Sequence, residues 1–236
     1  MTLEGPLTGG IIAAGDGRRL REDGWSVPKP LVPVAGVPLL ESVVVNFVAA
    51  GITPIAIIVN QRDEACVGWA RARFPGADLR FIVKTTASSL ESFTRVAATD
   101  PPGSMLISTV DAWCRPEDFA HFVAAARRRP PTAAVLAITP LVADENPLWV
   151  TVGPGERVVR VGGPAGDAVT AGLYLLPEAL RGQRPPTHLG RLREYLTWLV
   201  EQGEPMYAET IETVVDVDRA SDVALAESLA HAERSA

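Results

Sequence analysis

The 236-residue sequence predicts an α/β protein, Rossmann-like, with a mostly parallel central sheet, helices on both faces and a small β-hairpin region. Three observations carry this. Up to about residue 140, short apolar β-rich runs alternate with amphipathic stretches of roughly ten residues, the pattern of a parallel sheet covered on both faces. Beyond it, two β-branched runs flank Gly153-Pro154-Gly155-Glu156, which reads as a hairpin. No low-complexity linker and no repeat of about 20 to 50 residues divides the chain, so residues 1–236 read as a single domain.

In order, the β-rich runs predict strands over Gly9 to Ala14, Ile55 to Asn60, Leu79 to Val83, Met105 to Val110 and Ala133 to Thr139. The amphipathic stretches between them predict helices over Leu39 to Ala50, Glu64 to Phe74, Ser89 to Ala98 and Pro116 to Arg129. Trp149 to Val152 and Val158 to Val161 form the hairpin, and Ala168 to Leu176 is a further strand entering the main sheet. Leu189 to Gln202 is a helix, Val214 to Val217 a short strand, and Ser221 to Glu233 a closing helix with Ser221 as its N-cap.

Composition excludes several function classes. A net charge of −6 argues against a nucleic-acid or anionic-membrane surface, which needs clustered basic residues. The compact basic run, Arg127-Arg128-Arg129, reads as a solvated helix end. No apolar stretch reaches the roughly 18 to 20 residues of a membrane span, and the opening lacks the basic start of a secretory signal, so a cytoplasmic location is expected. Cys66 and Cys114 are far apart and read as reduced and structural; the three histidines lack metal-ligand spacing.

Two motifs carry chemistry. Ala13-Ala14-Gly15-Asp16-Gly17-Arg18-Arg19-Leu20 follows the first strand, where a glycine-rich loop lets backbone N–H groups approach an anion; an ordinary tight turn has the same composition. In Val27-Pro28-Lys29-Pro30-Leu31 two prolines stiffen the backbone around a lysine. Lys29 and Lys84 are the only lysines among 22 basic residues, so a compact point charge here fits contact with phosphate oxygens. Replacing Lys29 is then expected to lower turnover with little effect on thermal stability.

Together, IIAAGDGRRL and PKPLVPVAGVPLL resemble the signature of the sugar-phosphate nucleotidylyltransferases, and the resemblance is nearest in character to cytidylyltransferases acting on inositol phosphate or phosphocholine. Ser108-Thr109-Val110-Asp111, Ala171-Gly172-Leu173-Tyr174 and the run from Val215 to Asp222 resemble further landmarks in the family's order. The resemblance implies transfer of NMP from an NTP, CTP being weakly favoured, to a small phosphorylated acceptor (sugar, polyol or choline phosphate) with release of pyrophosphate. It implies Arg19 and Lys29 as catalytic contacts to the triphosphate. Ala13, Ala14, Gly15, Gly17, Arg18, Ser88 and Ser89 are then nucleotide-binding, although Ser88 and Ser89 also suit the cap of the following helix. Asp111 and Gly172 fall at the acceptor site. Asp111 and Asp218 are the implied Mg²⁺ ligands, with Asp216 a direct or supporting one. A homo-oligomer is compatible with the sequence.

Two departures stand out. Val110 precedes the metal aspartate where the family usually has glycine, and Gly162-Gly163-Pro164 stands where many hexose-phosphate enzymes have Glu-Lys-Pro. The acceptor is therefore expected to be something other than a common hexose 1-phosphate. The alternatives are a molybdenum-cofactor-type guanylyltransferase, whose loop has glycine in place of Ala14, a glycosyltransferase, which would carry Asp-x-Asp where Asp111-Ala112-Trp113 stands, and a catalytically inactive nucleotide-binding regulatory protein.

Overall fold

A computed structural model describes residues 5–99 and 101–232. In chain order the first half holds β1 (Thr8–Ala13), α1 (Arg18–Glu22), β2 (Pro33–Val34), β3 (Val37–Pro38), α2 (Leu39–Ala49), β4 (Ile55–Val59), α3 (Ala65–Arg73), β5 (Leu79–Val83), α4 (Ser89–Ala97), β6 (Met105–Thr109), β7 (Ala112–Cys114) and α5 (Pro116–Ala126). The second holds β8 (Ala134–Thr139), β9 (Trp149–Gly153), β10 (Arg157–Val161), β11 (Ala168–Leu176), α6 (Glu178–Arg181), α7 (Leu192–Glu201), β12 (Met206–Thr210), β13 (Val214–Asp216) and α8 (Ala220–Ala232).

Nine strands form one sheet in the order β5-β4-β1-β6-β11-β8-β12-β10-β9. β5, β4, β1 and β6 run parallel, joined by helical crossovers. The expectation of a mostly parallel sheet needs correction, because β11 inserts antiparallel between β6 and β8. It arrives through the β9–β10 hairpin rather than through a helix, so its direction is reversed. β12 lies parallel to β8, while β10 and β9 complete an antiparallel edge. The sheet is mixed.

Helices cover both faces, as the alternation of the sequence requires. α2 turns Leu39, Leu40, Val43, Val44 and Phe47 onto one face, where Phe47 meets Phe119 of α5 at 5.3 Å between ring centroids. On the opposite face α4 and α7 bring Phe93, Leu192, Tyr195, Leu196 and Leu199 against β6, β8 and β11. β4, buried at all five positions, lies between the two layers. Among the described residues no helix is long and apolar enough to cross a membrane.

Some local expectations shift. The helix expected from Leu189 begins at Leu192, and β12 was not anticipated. α8 starts at Ala220, so Ser221 is not its cap. Asp222 in the first turn instead accepts the N–H groups of Asp218 and Arg219, at 3.0 and 2.7 Å. The expected end at Glu233 lies outside the described residues. The arginine run is not simply solvated: Arg129 pairs with Glu209 and sits over the Tyr207 ring. Cys66 and Cys114 are free and buried, and burial pushes their thiols up to about 11 and about 12.

Candidate active site

The site forms at the carboxyl ends of β1 and β6, where open α/β sheets place their ligand crevice. Beyond β6 the chain is pinned twice: Val110 N–H donates to Ile12 O, and Asp111 O accepts from Trp113 and Val217 N–H. β7 then pairs antiparallel with β13, setting Ala112 opposite Asp216. This small ribbon brings distant parts of the sequence together. One carboxylate oxygen from each of Asp111, Asp216 and Asp218 lies within 4.8 Å of the others.

Lys29 opens a single 3₁₀ turn and is only 8% exposed. Its Nζ pairs with both Asp111 and Asp218, and Asp218 also accepts from Arg19 at 3.0 Å. Burial works against the ammonium, yet Asp111, Asp218 and Asp216 together raise Lys29 above its ordinary value. Burial likewise opposes the Asp111 carboxylate, but Lys29 holds it below its usual range. Asp216 differs. Repulsion from Asp111, then burial, lifts its carboxyl well above the usual range against the pull of Lys29, although the residue is exposed, and it makes no salt bridge with a described residue.

Gly17 makes the approach of Lys29 possible. At φ 58° it occupies the left-handed region, and a Cβ there would stand 2.8 Å from Lys29 Cβ. Asp16 is held from outside by Arg62 at its carboxylate and by Arg21 at its carbonyl.

Two cavities meet at these residues. The first, about 370 Å³, is lined by Ala13, Ala14, Gly15, Lys29, Thr86, Ser88, Ser89 and Asp111 among others. The second, about 270 Å³, lies between β11 and α7 and includes Asp111, Asp144, Gly172, Tyr174, Arg191, Arg193 and Asp216. Both share Ser89, Thr109 and Asp111. Gly172, at φ 72°, lets β11 close here, since a Cβ would stand 2.7 Å from both Thr109 Oγ1 and Ala112 Cβ.

Of the residues expected from sequence, Ala13, Ala14, Gly15, Ser88, Ser89 and Lys29 line the first cavity, and Asp111 and Gly172 line the second. Arg18 is not brought in: it is exposed and pairs with Glu22 at 2.7 Å. Gly17 acts behind Lys29 rather than on the cavity wall. Ser88 caps α4 by accepting the Glu91 N–H at 3.1 Å. Gly162 to Pro164 do not line the second cavity; Gly163 lies beside Arg160 instead. Sequence reasoning missed Asn60, whose Nδ2 donates to Ala14 O at 3.3 Å and supports the loop from below. It also missed Arg191 and Arg193, for which sequence offered no more signal than a charged stretch entering a helix.

The profile of the MobA-like NTP transferase domain matches residues 9–160. The chain belongs to this family. A CMP-5′-(3-aminopropyl)phosphonate synthase of Streptomyces rubellomurinus is 28% identical over 214 residues, 86% of this chain and 33% of that protein. A bifunctional IPC transferase and DIPP synthase of Rubrobacter xylanophilus is 31% identical over 229 residues, 93% of this chain and 51% of that protein. The chain thus spans a third to about half of these relatives. Among solved structures, the inositol-1-phosphate CTP transferase from T. maritima superposes with a TM-score of 0.80 at 16% identity, covering 95% of this chain and 96% of its own. That likeness establishes the fold within which Lys29, Asp111, Asp216 and Asp218 are brought together.

Proposed function

We propose that this chain, acting as one nucleotidyltransferase domain, transfers the NMP part of a nucleoside triphosphate, with CTP first among the bases, to a small phosphate- or phosphonate-bearing acceptor, releasing pyrophosphate. The observation that carries the reading is the meeting of two cavities at Asp111, one walled by the glycine loop and Lys29 and the other by β11 and α7. The cytidylyl and phosphonate names of the relatives supply the base and the acceptor class.

In such a transfer an acceptor oxygen attacks the α-phosphorus while pyrophosphate leaves in line. A phosphate monoester has a second pKa near about 6, so the nucleophile is largely ionised at neutral pH and needs no general base. The chain's task is alignment and charge neutralisation. Backbone at Ala14 and Gly15 cradles the triphosphate, and Lys29 and Arg19 meet its negative charge. Asp111, Asp216 and Asp218 are a fitting donor set for Mg²⁺: three hard oxygen ligands converge, and Asp216 carries repulsion from Asp111 that Lys29 only partly offsets. Mg²⁺ held there would neutralise phosphate charge and orient the reactants.

The test is pyrophosphate release across the four common NTPs and a panel of aminoalkyl phosphonates, inositol, polyol and choline phosphates, and hexose 1-phosphates, with Mg²⁺. CTP with a non-hexose acceptor is the expected pair. Efficient turnover of glucose 1-phosphate or mannose 1-phosphate overturns the acceptor class, and no release with any pair overturns the function.

A further inference from the structure

We propose that Arg191, Arg193 and Tyr174 form the subsite that recognises the anionic head of the acceptor, so that α7 supplies the charge that the Gly162-Gly163-Pro164 turn lacks. This rests on the nucleotidyl-transfer reading of the site.

The need for such a subsite is electrostatic. An acceptor phosphate or phosphonate brings up to two negative charges to a place already holding Asp111, Asp216 and Asp218, whose neighbouring cations are Lys29 and Arg19. Lys29 lines the first cavity and Arg19 sits on Asp218, and neither lines the second cavity. The acceptor needs positive charge from the other wall. Arg191 and Arg193 stand there, lining the second cavity on either side of Leu192. Neither makes a salt bridge with a described residue; Arg193 spends one donor on Asn146 O at 3.0 Å. A guanidinium with donors to spare suits an anion with three oxygens.

Two further contacts show that the wall is built. Leu192 N–H donates to Ser89 Oγ at 3.1 Å, and Ser89 lines both cavities, so the two arginines are held at the junction where transfer takes place. Tyr174 is 6% exposed, its ring packs edge-on against Phe93 at 6.2 Å, and it lines the second cavity. No described residue hydrogen-bonds its hydroxyl, which opens onto the cavity rather than being buried without a partner. An acceptor oxygen there supplies a partner.

The experiment uses the full chain and two readouts. With CTP and the acceptor found by the panel, Arg193→Ala is expected to raise the acceptor KM by about tenfold or more while the CTP KM stays within about twofold, Arg193→Lys to recover part of the loss, and Arg191→Ala and Tyr174→Phe to raise the acceptor KM less. Independently of turnover, calorimetry with methylphosphonate as probe is expected to detect binding to the native chain and its loss in Arg193→Ala. Unchanged acceptor KM in Arg193→Ala, or an equal rise for CTP, overturns the subsite. So does methylphosphonate binding that is absent from the native chain or survives in the variant. A native chain that binds methylphosphonate through Arg193 but releases no pyrophosphate removes the transfer reading and leaves the anion subsite standing.

Discussion

Replacing Lys29 tests the centre of the site, and the structure changes what is expected from it. As a phosphate contact stiffened by its flanking prolines, it would be expected to matter for turnover and little for stability. Here its side chain is 7% exposed and neutralises Asp111 and Asp218, with Asp216 close by. Removing one partner of a fully buried ion pair costs about 3–5 kcal/mol. The two acids are 22% and 37% exposed, so water relieves part of the repulsion and about 1–3 kcal/mol is the reasonable range. For a chain of this size each kcal/mol lowers Tm by about 2–4 °C, which predicts a drop of roughly 2–12 °C for Lys29→Ala in chelator. Lys29→Met, which keeps most of the volume, should fall nearly as far, because the loss is of charge rather than packing. Added Mg²⁺ should restore more Tm to either variant than to the native chain, since a cation binding the folded state replaces the missing ammonium. Turnover should fall by at least about two orders of magnitude. Differential scanning calorimetry with and without Mg²⁺ is the measurement. A variant melting within about 1 °C of the native chain and with the same Mg²⁺ response would refute the claim that Lys29 is the internal counter-ion of the carboxylates.

Asp111→Asn and Asp218→Asn should each lower activity at least about a hundredfold and raise the Mg²⁺ concentration needed for half-maximal rate. Asp216→Asn would cost less if Asp216 only supported the other two; its convergence with Asp111 and Asp218 predicts a loss comparable to that of Asp218→Asn in the same titration. Gly17→Ala forces a methyl group within 2.8 Å of Lys29 Cβ at φ 58°, so kcat should drop about tenfold or more, with a Tm loss from the strained backbone; native kinetics would show that Lys29 tolerates displacement. Hydrogen bonding from Lys84, the Ala87 N–H and Arg95 holds Glu91 down at about 2 against an ordinary 4.5. Its stabilising effect is therefore present above pH 4.5 and lost as pH falls toward 2, so Glu91→Gln should be less stable than the native chain at pH 7, with the gap closing across that acid window in a melting series.

The parallel half of the sheet was legible because its inner strands β1, β4 and β6 are buried on both faces and bounded by amphipathic helices, so β4 reads as Ile-Ala-Ile-Ile-Val without a polar break. β12 was not legible. Its sequence, Met206-Tyr207-Ala208-Glu209-Thr210, alternates buried and partly exposed positions near the antiparallel edge, and Glu209 there serves as the partner of Arg129. The direction of β11 was hidden for a different reason. A strand's own residues record how buried it is, but its orientation depends on whether a hairpin or a helix delivers it.

The site divides along the same line. Gly17, Lys29, Asp111 and Asp218 were legible because each occupies a conformation or charge environment that few residue types satisfy, and such constraints leave motifs. Arg191 and Arg193 left none, since an arginine beside a helix start looks the same whether it faces solvent or a cavity. What selects the cavity is a tertiary contact, Leu192 N–H on Ser89 Oγ, between residues 103 positions apart. The same serine reads from sequence as a helix-capping or nucleotide-binding residue, whereas the neighbouring Ser88 makes the α4 cap and leaves Ser89 free to anchor α7. Breaking that anchor with Ser89→Ala should leave the α4 cap intact and raise the acceptor KM more than the CTP KM, because Ser89 acts on α7 rather than on the triphosphate. A larger rise in CTP KM would mean that Ser89 works chiefly through the nucleotide cavity and that the arginines are held by the rest of α7.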